Sequence, residues 1–137
     1  MILVILSIKP KYCQAIVEGT KRYEFRKRIP KNWKEARFLI YASSPIQRII
    51  GEFKSTEVID ASPEEIWKKC QEEAGISKEE FCSYFKSTKS AFALHIEDFI
   101  EYDPIDPRAA LSHFTPPQSY QYLTYRDLFT SSDKSIQ

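Results

Sequence analysis

The sequence predicts an α+β fold, a small mixed β-barrel with a short helix after its first strand and a two-helix insertion later in the chain. Two observations predict it. Short runs of β-rich residues recur along the chain, and the spacing of apolar residues turns helical near the amino end and again over residues 62–87. The strands are not regularly separated by helices, which argues against a doubly wound parallel sheet. With 137 residues, 42% hydrophobic and 28% charged, the chain is large enough to bury a core without metals or disulfides. Residues 1–130 are expected to form one domain and the polar residues 131–137 a frayed tail.

The elements follow in order. Met1 to Leu6 is an apolar run that reads as a buried strand; it is too short for a membrane span, and it lacks the basic start and small-residue cleavage site of a signal peptide. Pro10 fits the first position of a helix, Cys13, Ile16 and Val17 recur at helical spacing, and Gly19 can supply a left-handed stop. Residues 21–27 alternate, with Tyr23 and Phe25 facing the core and Arg22, Glu24 and Arg26 on a charged face. Two neighbouring strands follow, Arg37 to Ala42 and Arg48 to Phe53, the second continuing toward Ile59, with Gly51 marking a bulge or a close backbone approach. Ser62-Pro-Glu-Glu65 and Ser77-Lys-Glu-Glu80 are capping-box patterns that open two helices on either side of Gly75. Ala91 to Ile100 alternates again and returns to the sheet as a central strand, with His95 opposite Phe92, Leu94 and Ile96. Prolines at 104, 107, 116 and 117 then limit regular structure to a short helix over Arg108 to His113, after which Tyr120, Tyr122 and Tyr125 pack the chain back on the barrel.

Three cysteines without a close pair, and only two histidines, support neither a disulfide framework nor a zinc site, so no metal or cofactor is expected and a reducing cytoplasm fits. The net charge of +1 hides an asymmetry. Residues 1–54 hold twelve basic against four acidic residues, and residues 55–137 hold eight against fifteen. A basic first segment can set up a positive field that attracts phosphates.

Gly19-Thr-Lys21-Arg-Tyr-Glu24-Phe-Arg26, placed where the first helix gives way to a strand, resembles the G-x-K-x-x-E-x-R signature of the ASCH family. The resemblance continues through Leu6 to Pro10, Tyr41 to Pro45, the Gly51-Glu-Phe strand and Pro116-Pro-Gln-Ser119, roughly residues 3 to 123. It implies a PUA-like barrel with a cleft beside the motif, in a family regarded as binding nucleic acids or modified nucleotides. Some bacterial members are amidohydrolases of N-acetylated cytidine that use a lysine, a threonine and a glutamate, and an RNase activity is described for another. Lys21 matches the motif lysine, whereas Glu24 stands where the amidohydrolases have their threonine. The glutamate of the helical insertion would fall near Glu72 or Glu73.

The residue chemistry is compatible with binding or catalysis. Lysine brings a positive charge to a phosphate or carbonyl oxygen, and when desolvated it gives up its proton more readily. Arg26 offers a planar fork for phosphate or a base edge. Lys21 and Glu24 point to opposite faces of an ideal strand, so they can cooperate only if Lys21 lies on the turn before it. The leading expectation is a module that binds RNA or a modified nucleotide in a basic cleft through Lys21, Arg22, Glu24, Arg26 and Arg28, with Tyr41, Ser43, Ser44, Gln118 and Ser119 as further candidates. The alternatives are a metal-independent hydrolase of N-acylated nucleosides or RNA, with Lys21 and Glu24 catalytic, and a protein-interaction domain that docks through residues 62–87.

Overall fold

The computed structural model describes residues 2–111 and 113–123. Its elements run β1 (Ile2–Ile8), α1 (Pro10–Glu18), β2 (Tyr23–Arg26), β3 (Ala36–Ala42), β4 (Arg48–Lys54), β5 (Val58–Ala61), α2 (Pro63–Cys70), α3 (Lys78–Tyr84), β6 (Ala91–His95), β7 (Glu97–Ile105), α4 (Pro107–Ala110) and β8 (Tyr120–Leu123), with a single 3-10 turn at Gln71–Glu73. The expected tail at 131–137 and Tyr125 lie outside the described residues.

The strands form two sheets, ordered β7-β4-β3-β1-β8 and β2-β6-β5, and among the described residues they do not close into the expected barrel. β1 and β3 are parallel, and the other pairings are antiparallel. Among the described residues no ladder joins the sheets, since β2 pairs with β6 and not with β1 or β3, its neighbours in sequence. The sheets meet through side chains: Val4, Leu6, Ile8, Phe38, Ile40, Phe53 and Leu94 form one buried cluster. Burial on that scale, not hydrogen bonding across an edge, holds the two layers together.

The local signals explain most elements. Pro10 opens α1, and Gly19 closes it at φ 83°, with backbone N–H bonds to the Ala15 and Ile16 carbonyls. Cys13 and Ile16 face inward, but Val17 is 36% exposed because one further residue of helix turns it away from the sheet. Ser62 and Ser77 cap α2 and α3 by accepting from the Glu65 and Glu80 N–H groups. The second helix pair therefore forms where its caps place it, and its apolar stripes cover Phe25, Ala91 and Ala93 with Ile66, Cys70, Phe81 and Phe85.

Three strand boundaries depart from the sequence reading. β4 ends at Lys54, and the buried Ser55 hydroxyl donates to the Glu57 carbonyl at 2.9 Å, so Val58–Ala61 restarts as an edge of the other sheet. Residues 91–105 form two strands broken at Ile96, whose N–H donates to the Arg22 carbonyl at 2.9 Å. Pro104 is tolerated in β7 because that strand is an edge. Gly51 sits at a register shift, and a Cβ there would come within 2.6 Å of the Ile100 carbonyl, so the close approach requires glycine.

All three cysteines are free. Cys82 is exposed, whereas burial pushes the Cys13 thiol up to about 12 and the Cys70 thiol up to about 11. One thiol is expected to react promptly with a disulfide reagent at neutral pH and two only after denaturation, which a time course with and without urea will show. Among the described residues no helix is long and apolar enough to cross a membrane.

Candidate functional site

The turn after α1 is built to bury a lysine. The N–H groups of Thr20 and Lys21 both return to the Ala15 carbonyl, and the Arg22 N–H donates to the Glu73 carbonyl at 2.8 Å. These bonds press the turn against the chain that links α2 to α3. Lys21 is 3% exposed, and its Nζ donates to the Ala74 carbonyl at 2.9 Å. The ammonium lies 4.6 Å from the centre of the Phe25 ring and 5.3 Å from that of Tyr12, so two aromatic faces replace part of its hydration. Burial lowers the Lys21 pKa from the usual lysine value, and the charge of Glu24 opposes that shift.

Lys21 lies before β2 and not within it, which is the condition for its cooperation with Glu24. Both line one cavity of about 390 Å3, within the roughly 300–1,000 Å3 common for ligand sites. Glu24 and Arg26 share the other face of β2 from Phe25, as alternation predicts, but that face is inside the protein: they are 5% and 6% exposed. Their ion pair is 3.2 Å long. Arg26 Nη1 also donates to the Ser7 carbonyl at 3.2 Å, and Nη2 donates to the Ser119 carbonyl and hydroxyl. All four protons on its terminal nitrogens are thereby engaged, and its Nε is buried without a partner among the described residues. Arg26 is thus a clamp joining β1, β2 and the approach to β8, and its fork is not open to an incoming phosphate.

The opposite wall comes from α1 and α3. Tyr12 donates its hydroxyl to Glu80, which also pairs with Lys11 at 2.7 Å. Burial and the Glu80 carboxylate raise the Tyr12 phenol well above its ordinary pKa, while bonds from Lys11 and Tyr12 hold the Glu80 carboxyl below the usual range. Glu80 therefore stays an anion at neutral pH and ties the start of α3 to α1. Its replacement by glutamine is expected to speed amide exchange in α3 while leaving the sheets protected, which hydrogen-exchange mass spectrometry will resolve.

Glu80 is the acid that the helical insertion brings to the cavity; Glu72 and Glu73 are exposed, and the Glu73 carboxylate lies 3.5 Å from Arg22 on the surface. Arg22 and Arg28 are exposed and do not line the cavity. Nor do the three candidates around the end of β3. Tyr41 is 2% exposed and packs against Phe114 on the outer face of the larger sheet, Ser43 is half-buried, and Ser44 is exposed. Gln118 lines the rim, and Ser119 serves Arg26. Ser7, Tyr12, Ser83 and Tyr84 also line the cavity, and Lys27 stacks over the Tyr84 ring at 4.8 Å just outside it.

A larger groove of about 750 Å3 crosses the outer face of the five-stranded sheet. Its principal polar groups satisfy one another, since the Glu52 carboxylate accepts from both Arg37 and Tyr102. The smaller cavity is the better candidate because Lys21 and Glu24 keep bonding capacity there.

The family model of the ASCH domain matches residues 6–105. The chain belongs to the ASCH family. An "ASCH domain-containing ribonuclease" from Zymomonas mobilis is 32% identical over 122 residues, which cover 87% of this ASCH chain and 82% of that protein. The crystal structure of ASCH from Zymomonas mobilis superposes with a TM-score of 0.84 at 29% identity, covering 98% of this chain and 93% of the other. A Ureaplasma parvum protein named as large ribosomal subunit protein uL22 is 29% identical over 121 residues, and the ASCH match spans 39% of its length.

Proposed function

We propose that the cavity between β2, α1 and α3 binds RNA, with Lys21 and Glu24 as the residues that meet an inserted nucleotide. The observation that carries this is the burial of both charges on one cavity wall while part of their hydrogen-bonding capacity stays free. A buried ammonium with open protons is a strong partner for a phosphate or a carbonyl oxygen. The Zymomonas mobilis relative, named a ribonuclease, supports the same ligand class. The lining holds Lys9, Lys21 and Arg26 against Glu24 and Glu80, so positive charge for the rest of an RNA strand comes from Lys27, Arg28, Lys31 and Lys34, which are exposed just beyond β2. The three free cysteines support a cytoplasmic location.

One observation favours hydrolysis as a second reading. The lowered pKa of Lys21 makes its neutral amine more accessible, as a general base acting on RNA or an N-acylated nucleoside needs. Fluorescence anisotropy with labelled RNAs, run beside product analysis on RNAs and N-acylated nucleosides, tests both. RNA binding that weakens steeply with salt and falls at least tenfold in Lys21→Ala, with no product, fits the binding reading. Product formation abolished by the same substitution fits hydrolysis. Absence of both overturns the two readings and directs attention to protein docking through residues 62–87.

A further inference from the structure

We infer that the cavity selects nucleobases that carry an exocyclic amino group, adenine, cytosine or guanine, and discriminates against uracil. The inference rests on the RNA-binding reading and specifies what that site reads.

It follows from counting which hydrogen bonds the inner wall has left to offer. The Ser7 hydroxyl donates its one proton to the Pro117 carbonyl at 2.7 Å, so only its lone pairs face the cavity. The Tyr12 hydroxyl donates its one proton to Glu80 and is likewise left an acceptor. Glu24 has one oxygen engaged by Arg26 and the other without a protein partner among the described residues. Arg26, the largest potential donor, has its terminal protons engaged and its Nε sealed off. Deep in the cavity, therefore, three acceptors stand against one donor with protons to spare, Lys21. Lys9, Ser83, Tyr84 and Gln118 are exposed at the rim, where water competes for them.

A ligand that fills this wall must present N–H groups to it and an acceptor to Lys21. Cytosine, adenine and guanine each combine an amino group with a neighbouring ring or carbonyl acceptor. Uracil sets two carbonyl oxygens around a single N–H, so one of its acceptors would face Glu24 or Tyr12 without a proton between them. Two buried acceptors in opposition lose the hydrogen bond and add the desolvation of both.

The test uses the whole protein and short single-stranded RNAs of equal length and otherwise identical sequence. Each carries at its centre cytidine, uridine or pyrimidin-2-one riboside, which lacks only the amino group of cytidine. Anisotropy titrations are expected to show the cytidine RNA binding about tenfold more tightly than the other two. Glu24→Gln keeps the volume and an acceptor for Arg26 and adds a donor, so it should bring the ratio below about threefold; Tyr12→Phe should reduce it independently. Equal binding of all three RNAs, still dependent on Lys21, overturns the amino-group selection and leaves the RNA-binding reading standing. No binding of any of them overturns the RNA-binding reading and the selection with it.

Discussion

Gly75→Ala is expected to be among the most damaging single-methyl additions to this protein. Gly75 sits at φ +62°, and a Cβ there would lie 2.3 Å from the Cβ of Lys21 and 2.8 Å from its Cα and Cγ. Two penalties add. The left-handed conformation costs an L-residue about 1–2 kcal/mol, and forcing a methyl into an occupied space costs about 1–3 kcal/mol more. The obstruction is backbone and the root of a side chain, so it cannot swing aside. A loss of about 2–5 kcal/mol is a large share of the roughly 5–15 kcal/mol available to a small domain. Gly19→Ala provides the control: its φ is +83°, but nothing lies within 4 Å of the added methyl, so only the conformational part applies, about 1–2 kcal/mol. Urea denaturation of the two variants separates crowding from backbone preference. On the RNA-binding reading, Gly75→Ala should also weaken RNA binding, because the displaced residue is Lys21.

Glu24→Ala is the second substitution with a large expected effect. Its side chain is 7% exposed and that of Arg26 8%, so the pair is shielded from water. Removing the carboxylate leaves a buried guanidinium with only uncharged partners, two carbonyls and a hydroxyl, which costs about 3–5 kcal/mol. Glu24→Gln should cost less, since an amide oxygen still accepts from Arg26. The double variant Glu24→Leu with Arg26→Met should recover much of the loss, as apolar replacements of buried ion pairs often do. If urea denaturation finds Glu24→Ala within 1 kcal/mol of the parent, taking roughly 3 kcal/mol as the least a broken buried pair costs, the pair is better hydrated than its burial implies.

The Lys21–Glu24 half of the candidate site was legible because it lies within one turn and one strand. Gly19 announced the end of α1, and alternation put Glu24 and Arg26 on one face of β2. Whether that face met water or protein was not legible, since the covering groups come from Ser7, Ser119 and α3. Glu80 was hidden by a sufficient local explanation. It occupies the third helical position of a capping box, and its N–H does bond to Ser77, but its carboxylate turns away from that box to Tyr12, 68 residues distant. Tyr41 could have been placed better from the sequence. Phe38, Ile40 and Ala42 face the core between the sheets, so period two sends Tyr41 to the outer face, and proximity to Pro45 was the weaker signal. The open sheets had no local signature at all, because closure depends on which strand pairs with β2.

The clamp made by Arg26 also has a temporal meaning. Its partners stand at Ser7, Glu24 and Ser119, and the hydroxyl of Ser7 is held in turn by Pro117. While the chain is emerging from the ribosome, Ser7, Lys21, Glu24 and Arg26 are made early, but the Ser119 oxygens that complete the bonding of Arg26 arrive 93 residues later, several seconds at ordinary synthesis rates. A nascent chain ending before Pro117 holds every charge of the motif and lacks the carbonyl and hydroxyl that bond the second terminal nitrogen of Arg26. On the RNA-binding reading, the site is therefore completed only when translation has passed β8, which makes its assembly a late event in synthesis.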